Sequence, residues 1–152
     1  MKNRRVAVRG IVCDPEGKIF CVRHKKYEGN KFTAKDFWCL PGGGLDIGED
    51  ILTGVKREMV EETGIAPEVG SLLYIQQFSY LDTEHLEFFF HIKNTNDYSQ
   101  IDLESSTHGF KEIAECGFVD IKEVTFLPEF LSDCDIQEHI RKQSPVQIFN
   151  RL

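Results

Sequence analysis

The chain lacks any apolar run long enough to cross a membrane; such a helix needs about 20 consecutive apolar residues. Its N-terminus, MKNRRVAVRGIVC, is basic but has no apolar stretch of the kind a secretory leader carries. The expected setting is the cytoplasm. Internal repeats and low-complexity segments are absent. No dense run of lysine and arginine is present, and the formal net charge is -7. That balance disfavours nucleic acid polymers and anionic membranes as partners. An anionic ligand would need help from a cation. The five cysteines, Cys13, Cys21, Cys39, Cys116 and Cys134, are scattered, odd in number and without a CxxC pair. Neither a zinc site nor a disulfide framework is expected, and the thiols read as buried groups of a reducing compartment. The histidines, His24, His85, His91, His108 and His139, show no HExxH spacing.

What is present is an ordinary globular composition. The 152 residues are 41% hydrophobic and 28% charged, which suits one domain over residues 1–152 with its own core. Residues 4–13 read as a strand, DPEGK as a turn, and 19–24 as the hairpin partner. Arg5, Arg9 and Arg23 fall in this hairpin. Residues 25–36 form a polar loop with Lys25, Lys26, Lys31 and Lys35. FWCL (37–40) is a short strand ended by Pro41 and the glycines. Residues 71–80 and 85–93 form a second hairpin, in which Phe88, Phe89 and Phe90 suggest burial on both faces. A long polar loop (94–109), a strand (110–121) and helical patches interrupted at Pro128 (123–142) follow. The tail gives no clear signal. The expectation is an α+β domain with about six strands and two or three helices.

The chemistry concentrates in LPGGGLDIGEDILTGVKREMVEETGI, residues 40–65. The helix should begin near Gly48–Asp50 and end at Thr63, with Gly64 following it. At about 100° per residue, Ile51, Leu52, Val55 and Met59 form one apolar stripe. Glu58 and Glu62 sit at its rim, Glu61 just beyond, Gly54 on the same acid side, and Val60 points outward. A solvated acidic face with one Arg57–Glu61 pair, worth about 0.3–0.5 kcal/mol, is the plain alternative. It fits poorly, because like charges at this spacing repel and burial at the rim adds desolvation. A hard dication such as Mg²⁺ or Mn²⁺ reverses that sign. Gly54 would leave room for the ion, and a bend at Gly42–Gly44 would bring backbone close. A metal-lined ledge of this kind suits a polyphosphate. A P-loop is excluded: Gly43 to Gly48 has the spacing, but Glu49-Asp50 stands where Lys-Ser/Thr is required.

These residues resemble the Nudix hydrolase signature, G-x5-E-x7-R-E-U-x-E-E-x-G-U, matched at Gly43, Glu49, Arg57-Glu58-Met59, Glu61-Glu62 and Gly64-Ile65 without departure. The resemblance implies an α/β/α sandwich around a mixed sheet. It implies divalent-metal-dependent hydrolysis of a pyrophosphate bond in a nucleoside di- or triphosphate, or in a nucleoside diphosphate linked to another moiety. Glu58, Glu61 and Glu62 would hold Mg²⁺ or Mn²⁺, with Glu61 or Glu62 taking a proton from water. Arg57 would orient a glutamate, Glu49 would support or join the cluster, and Gly43 would offer a carbonyl or shape the loop. A further acid of the later loop would be Glu112, with Glu115 next. Arg23 could reach a phosphate, though it reads equally as a surface arginine. Of Phe37 and Trp38, one would line a nucleoside pocket, and Trp38 is the candidate. Tyr80 is a weak pointer to diadenosine polyphosphates. The alternatives are a silent nucleotide sensor and a hydrolase of oxidised nucleotides. The N-terminal strand is a candidate homodimer surface.

Overall fold

Outside residues 48–64 the chain is rich in Val, Ile and Phe, and these residues build sheets. A computed structural model describes residues 3–24, 37–101 and 113–152. The larger sheet has the order β4 (Gly42–Gly44), β1 (Asn3–Ile11), β6 (Thr83–Ile92), β5 (Val69–Tyr80), β9 (Gln147–Arg151). The smaller has the order β7 (Ile113–Val119), β2 (Ile19–His24), β3 (Trp38–Cys39), β8 (Phe126–Leu127). Both mix parallel and antiparallel pairs. Two α-helices, α1 (Ile51–Thr63) and α2 (Ile136–Arg141), and two short 3-10 segments complete the described residues. None of these helices is long and apolar enough to cross a membrane.

The first hairpin is shorter than expected. Asp14 closes its turn by accepting from the N–H groups of Glu16 and Lys18 at 2.9 Å. Beyond the Cys13–Ile19 bridge and a bond from Phe20 N–H to Val12, however, β1 and β2 part into different sheets. The reason is burial. Ala7, Val8, Gly10 and Ile11 are buried, so the second half of β1 has apolar groups on both faces and runs through the sheet interior, parallel to β6. It also pairs with β4 from Ala7 to Arg9. The expected N-terminal dimer strand is therefore no open edge over that stretch.

Two apolar clusters flank the larger sheet. Val8, Val12, Val55, Met59 and Ile92 pack between sheet and α1. Ile11, Leu73, Tyr74, Phe89, Phe130, Leu131 and Ile136 pack on the opposite face. Phe89 faces one cluster while Phe88 and Phe90 face the other, so β6 is buried on both faces. Burying Met59 or Val55 completely contributes about 1.5–3 kcal/mol each. Leu52, expected in the apolar stripe of α1, is instead 51% exposed. On the opposite side of the helix, Leu45 folds back against Gly54, so the buried face runs from Val55 and Met59 toward Gly54 and away from Leu52. The tail, which gave no signal, forms β9 parallel to β5, with Phe149 stacked on Phe130 at 4.3 Å.

Candidate metal centre

Helix α1 is fixed at both ends. The Asp50 carboxylate accepts from Thr53 N–H at 2.8 Å and from the Thr53 hydroxyl at 2.7 Å. Gly64 adopts φ 76° and donates its N–H to the Val60 carbonyl. With Val55 and Met59 anchored in the core, the acid side of α1 turns toward β4. The expected glycine bend is itself a strand, antiparallel to β1. Gly42 has φ 142°, and a Cβ there would fall 2.1 Å from the Val8 carbonyl oxygen, so no other residue fits.

Arg57 organises the acids. Its Nε and Nη2 donate to Glu49 Oε2 and Oε1 at 2.7 and 2.8 Å. Nη2 also donates to the Gly44 carbonyl at 3.1 Å. Nη1 donates to Glu58 Oε1 and Glu61 Oε2, both at 3.0 Å. Asp46 lies 3.7 Å from Nε. The bidentate bond from Arg57 holds Glu49 below the usual carboxylate range. In return Glu49, then Glu58 and Glu61, push Arg57 further up, against the opposing effect of burial.

Glu58 lies on the bare Cα of Gly43: a Cβ at Gly43 would fall 2.7 Å from the Glu58 carboxylate carbon. Burial raises the Glu58 pKa, and the bond from Arg57 only partly opposes this. Glu62 is 4% exposed, and its Oε2 accepts from Gly42 N–H at 3.0 Å. Gly54 does not face an ion cavity, as its spacing suggested. A Cβ there would meet Leu45 Cδ2 at 2.1 Å and Glu49 Oε1 at 3.1 Å, so Gly54 makes room for the strand-to-helix loop.

Among the described residues, no three His, Cys, Asp or Glu side chains converge closely enough to hold an ion. Arg57 and the Gly42 N–H gather the carboxylates instead. The donor set still fits a hard dication. It is all oxygen, it lies along one ledge, and Glu58 rests in a cradle that any side chain at residue 43 would fill.

The remaining candidates separate. Arg23 and Trp38 meet in the smaller sheet, the guanidinium 5.4 Å from the ring centroid. Arg23 also pairs with Glu115 at 3.2 Å across β2 and β7. Tyr80 ends β5 at the tip of the other hairpin, half exposed. Glu112 and the lysines of 25–36 lie outside the described residues. All five cysteines are free thiols; burial pushes Cys13 up to about 11 and Cys39 up to about 12, which makes them poor nucleophiles.

Sequence reasoning gave no role to Arg9, Glu87 and Gln76. Arg9 and Glu87 approach to 3.6 Å, and Glu87 and Gln76 are buried. Burial opposes the charge of Arg9, but the fields of Glu87, Glu62 and Glu58 outweigh it and raise its pKa. The available signal was a charged or amide residue at inward positions of otherwise apolar strands.

Several known proteins resemble this chain. An ADP-ribose pyrophosphatase from Methanocaldococcus jannaschii is 43% identical over 68 residues, covering 45% of this chain and 37% of that protein. A nucleoside diphosphate-linked moiety X motif 6 protein from Xenopus laevis is 42% identical over 76 residues, covering 49% of this chain and 32% of the relative. The chain thus spans about a third of the length of these relatives. Among solved structures, a MutT protein from Methanosarcina mazei Go1 has TM-score 0.70 at 22% identity, covering 95% of this chain and 98% of the other. A UDP-X diphosphatase has TM-score 0.68 at 22% identity, covering 97% and 68%. These structural likenesses concern the fold. The NUDIX domain model matches residues 3–136, and with the signature residues gathered around Arg57 on one capped helix, the chain belongs to the Nudix family.

Proposed function

We propose that this chain hydrolyses a pyrophosphate bond in a nucleoside di- or triphosphate, or in a nucleoside diphosphate linked to another moiety. The observation that carries this reading is the Arg57 network: one guanidinium holds Glu49, Glu58, Glu61 and the Gly44 carbonyl in a single constellation. Its kinship with an ADP-ribose pyrophosphatase adds support. Glu58, Glu61 and Glu62 would hold Mg²⁺ or Mn²⁺, with the Gly43 backbone beside them. The ion supplies positive charge against the diphosphate and activates water.

This chain's own residues do the rest. Both oxygens of Glu49 accept from Arg57, and one also accepts from Asp46 N–H, so it positions the arginine rather than the substrate. Gly42 N–H fixes one oxygen of Glu62 and aims its carboxylate at the ledge. Water attacks one phosphorus, the bridging P–O bond breaks, and Glu61 or Glu62 takes the water proton.

A panel of nucleoside triphosphates, nucleoside diphosphate sugars and dinucleoside polyphosphates with Mg²⁺, followed by phosphate and nucleotide analysis, tests the reading. The expected result is turnover of at least one class. Tight binding of one compound with no turnover of any would establish a sensor instead. Glu61→Gln and Glu62→Gln should each lower kcat on the order of 10²-fold with the fold intact; full activity in both would remove these residues from the site.

A further inference from the structure

One row of residues crosses all five strands of the larger sheet: Gly44, Ala7, Glu87, Gln76 and Phe149 are successive cross-strand partners. Strand alternation puts them on the face opposite α1. The row begins without a side chain, passes a methyl, and reaches an acid and an amide. On either side of Ala7, two residues along the same strand, stand Arg5 and Arg9. The row is therefore low on β4 and β1, with the Arg5 guanidinium beside its Gly44 end and the Arg9 guanidinium reaching toward the polar pair. At its β4 end, the Gly44 carbonyl accepts from Arg57.

Within the polar pair, Glu87 has a contact with Arg9, but the Gln76 oxygen has no structural account. Glu87 and Gln76 lie next to each other in an interior of Tyr74, Phe89 and Phe149. Gln76 is 5% exposed, and its Oε1 has no hydrogen-bond partner among the described residues. An unmet buried acceptor destabilises a fold by about the free energy of desolvating it, and an apolar side chain would avoid this. The Arg9–Glu87 contact, at 3.6 Å, is an ion pair without a close hydrogen bond. Gln76 Oε1 is thus left to receive a donor from outside, and Glu87 beside it keeps acceptor capacity that Arg9 does not fill at close range.

We infer that Glu87 and Gln76 read the base of a guanine nucleotide. This rests on the hydrolase reading above and names its substrate class. Guanine presents two adjacent donors, an imino N–H and an amino group, which match the two oxygens of one carboxylate. The second hydrogen of that amino group donates to Gln76 Oε1, the acceptor left unmet among the described residues. Adenine offers one donor beside a bare ring nitrogen, which Glu87 would repel. The order across the sheet matches the order of groups in a nucleotide. Acids that would hold the ion lie beyond β4, Arg5 and Arg9 flank the phosphate position on β1, and the base-reading pair lies on β6 and β5. At about 4.8 Å per strand, Gly44 to Gln76 spans about 14 Å, the reach of an extended nucleotide. Phe78 and His85, stacked at 4.6 Å in the next row, close one side.

The test uses GMP, IMP and AMP, which contain no pyrophosphate bond and so report binding without turnover. Each is titrated calorimetrically with Mg²⁺ into wild type, Gln76→Met and Glu87→Gln. Wild type should bind GMP about tenfold or more tightly than IMP or AMP. Each variant should narrow that gap to about threefold or less. Gln76→Met should also keep or raise the melting temperature, because it removes an unmet acceptor; a purely structural glutamine would lose stability and leave the gap intact. Equal affinities in wild type, no measurable binding, or a gap unchanged in both variants would overturn the inference. Turnover of other nucleotides alongside any of these results leaves the hydrolase standing. GMP discrimination without turnover of any nucleotide does the reverse.

Discussion

Arg57 has five N–H groups, and five hydrogen bonds leave them. A lysine cannot reproduce that planar fork. Arg57→Lys should keep Glu61 near by charge but release Glu49 and the Gly44 carbonyl, with kcat falling about 10- to 100-fold in steady-state assays at saturating Mg²⁺. Glu58 shows the opposite balance, since burial raises its pKa despite Arg57. A carboxyl whose folded pKa exceeds its unfolded value contributes stability that is present below the unfolded value and lost as pH rises through the folded one. Without divalent cation, the stability of wild type relative to Glu58→Gln should therefore fall as pH climbs out of the ordinary carboxylate range. Melting curves from pH 4 to 8 would show it, and a relative stability that rises with pH would contradict the assignment. The signature residues and the Arg57–Glu61 pair were readable because helix periodicity is local. The partners of Glu62 and Glu58, Gly42 N–H and the Gly43 Cα, were not, because strand pairing sets those distances.

At the scale of the element, α1 and the strand before it constrain each other through two glycines with different duties. A methyl at Gly54 would meet Leu45 and Glu49. Overpacking costs about 1–3 kcal/mol, while alanine gains at most about 1 kcal/mol in helix propensity. Gly54→Ala should thus lose about 1 kcal/mol net in urea unfolding. The nearest atoms a methyl at Gly43 would meet are those of the Glu58 carboxylate, the far end of a flexible side chain. Gly43→Ala should leave stability nearly unchanged and raise the Mg²⁺ concentration for half-maximal activity about tenfold, as displaced ligands do. Matched losses in both variants would mean that Gly43 only packs. The helix ends were legible because Asp50 and Gly64 act through bonds within their own turn. Leu52 is exposed because the buried face of α1 is rotated toward Gly54, where Leu45 packs, and periodicity alone cannot show that rotation. Likewise, alternation found β1 and β2 but could not show that β1, buried from Ala7 onward apart from Arg9, leaves its hairpin for the sheet interior.

The whole molecule depends on a segment with little sequence signal of its own. QIFNR has exposed residues at every position but Phe149, too sparse a pattern for a strand. It becomes one because β5 presents a free edge and a waiting aromatic cluster. Phe149 stacks on Phe130 at 4.3 Å and lies 6.2 Å from Tyr74, whose other neighbours are Phe130 and His139. These rings tie β9, β5, the 3-10 segment Glu129–Asp133 and α2 into one layer against the face that carries Gln76. Removing a half-buried ring from such a layer costs about 2 kcal/mol, below the value for a fully buried phenylalanine. Phe149→Ala should lower the urea midpoint accordingly with an unchanged m-value, since the same surface is still exposed on unfolding. A reduced m-value would mean that β9 detaches before the rest of the sheet. An unchanged midpoint would mean that the strand contributes nothing to the fold, and the aromatic layer would then have to be supported by Phe130 and Tyr74 alone.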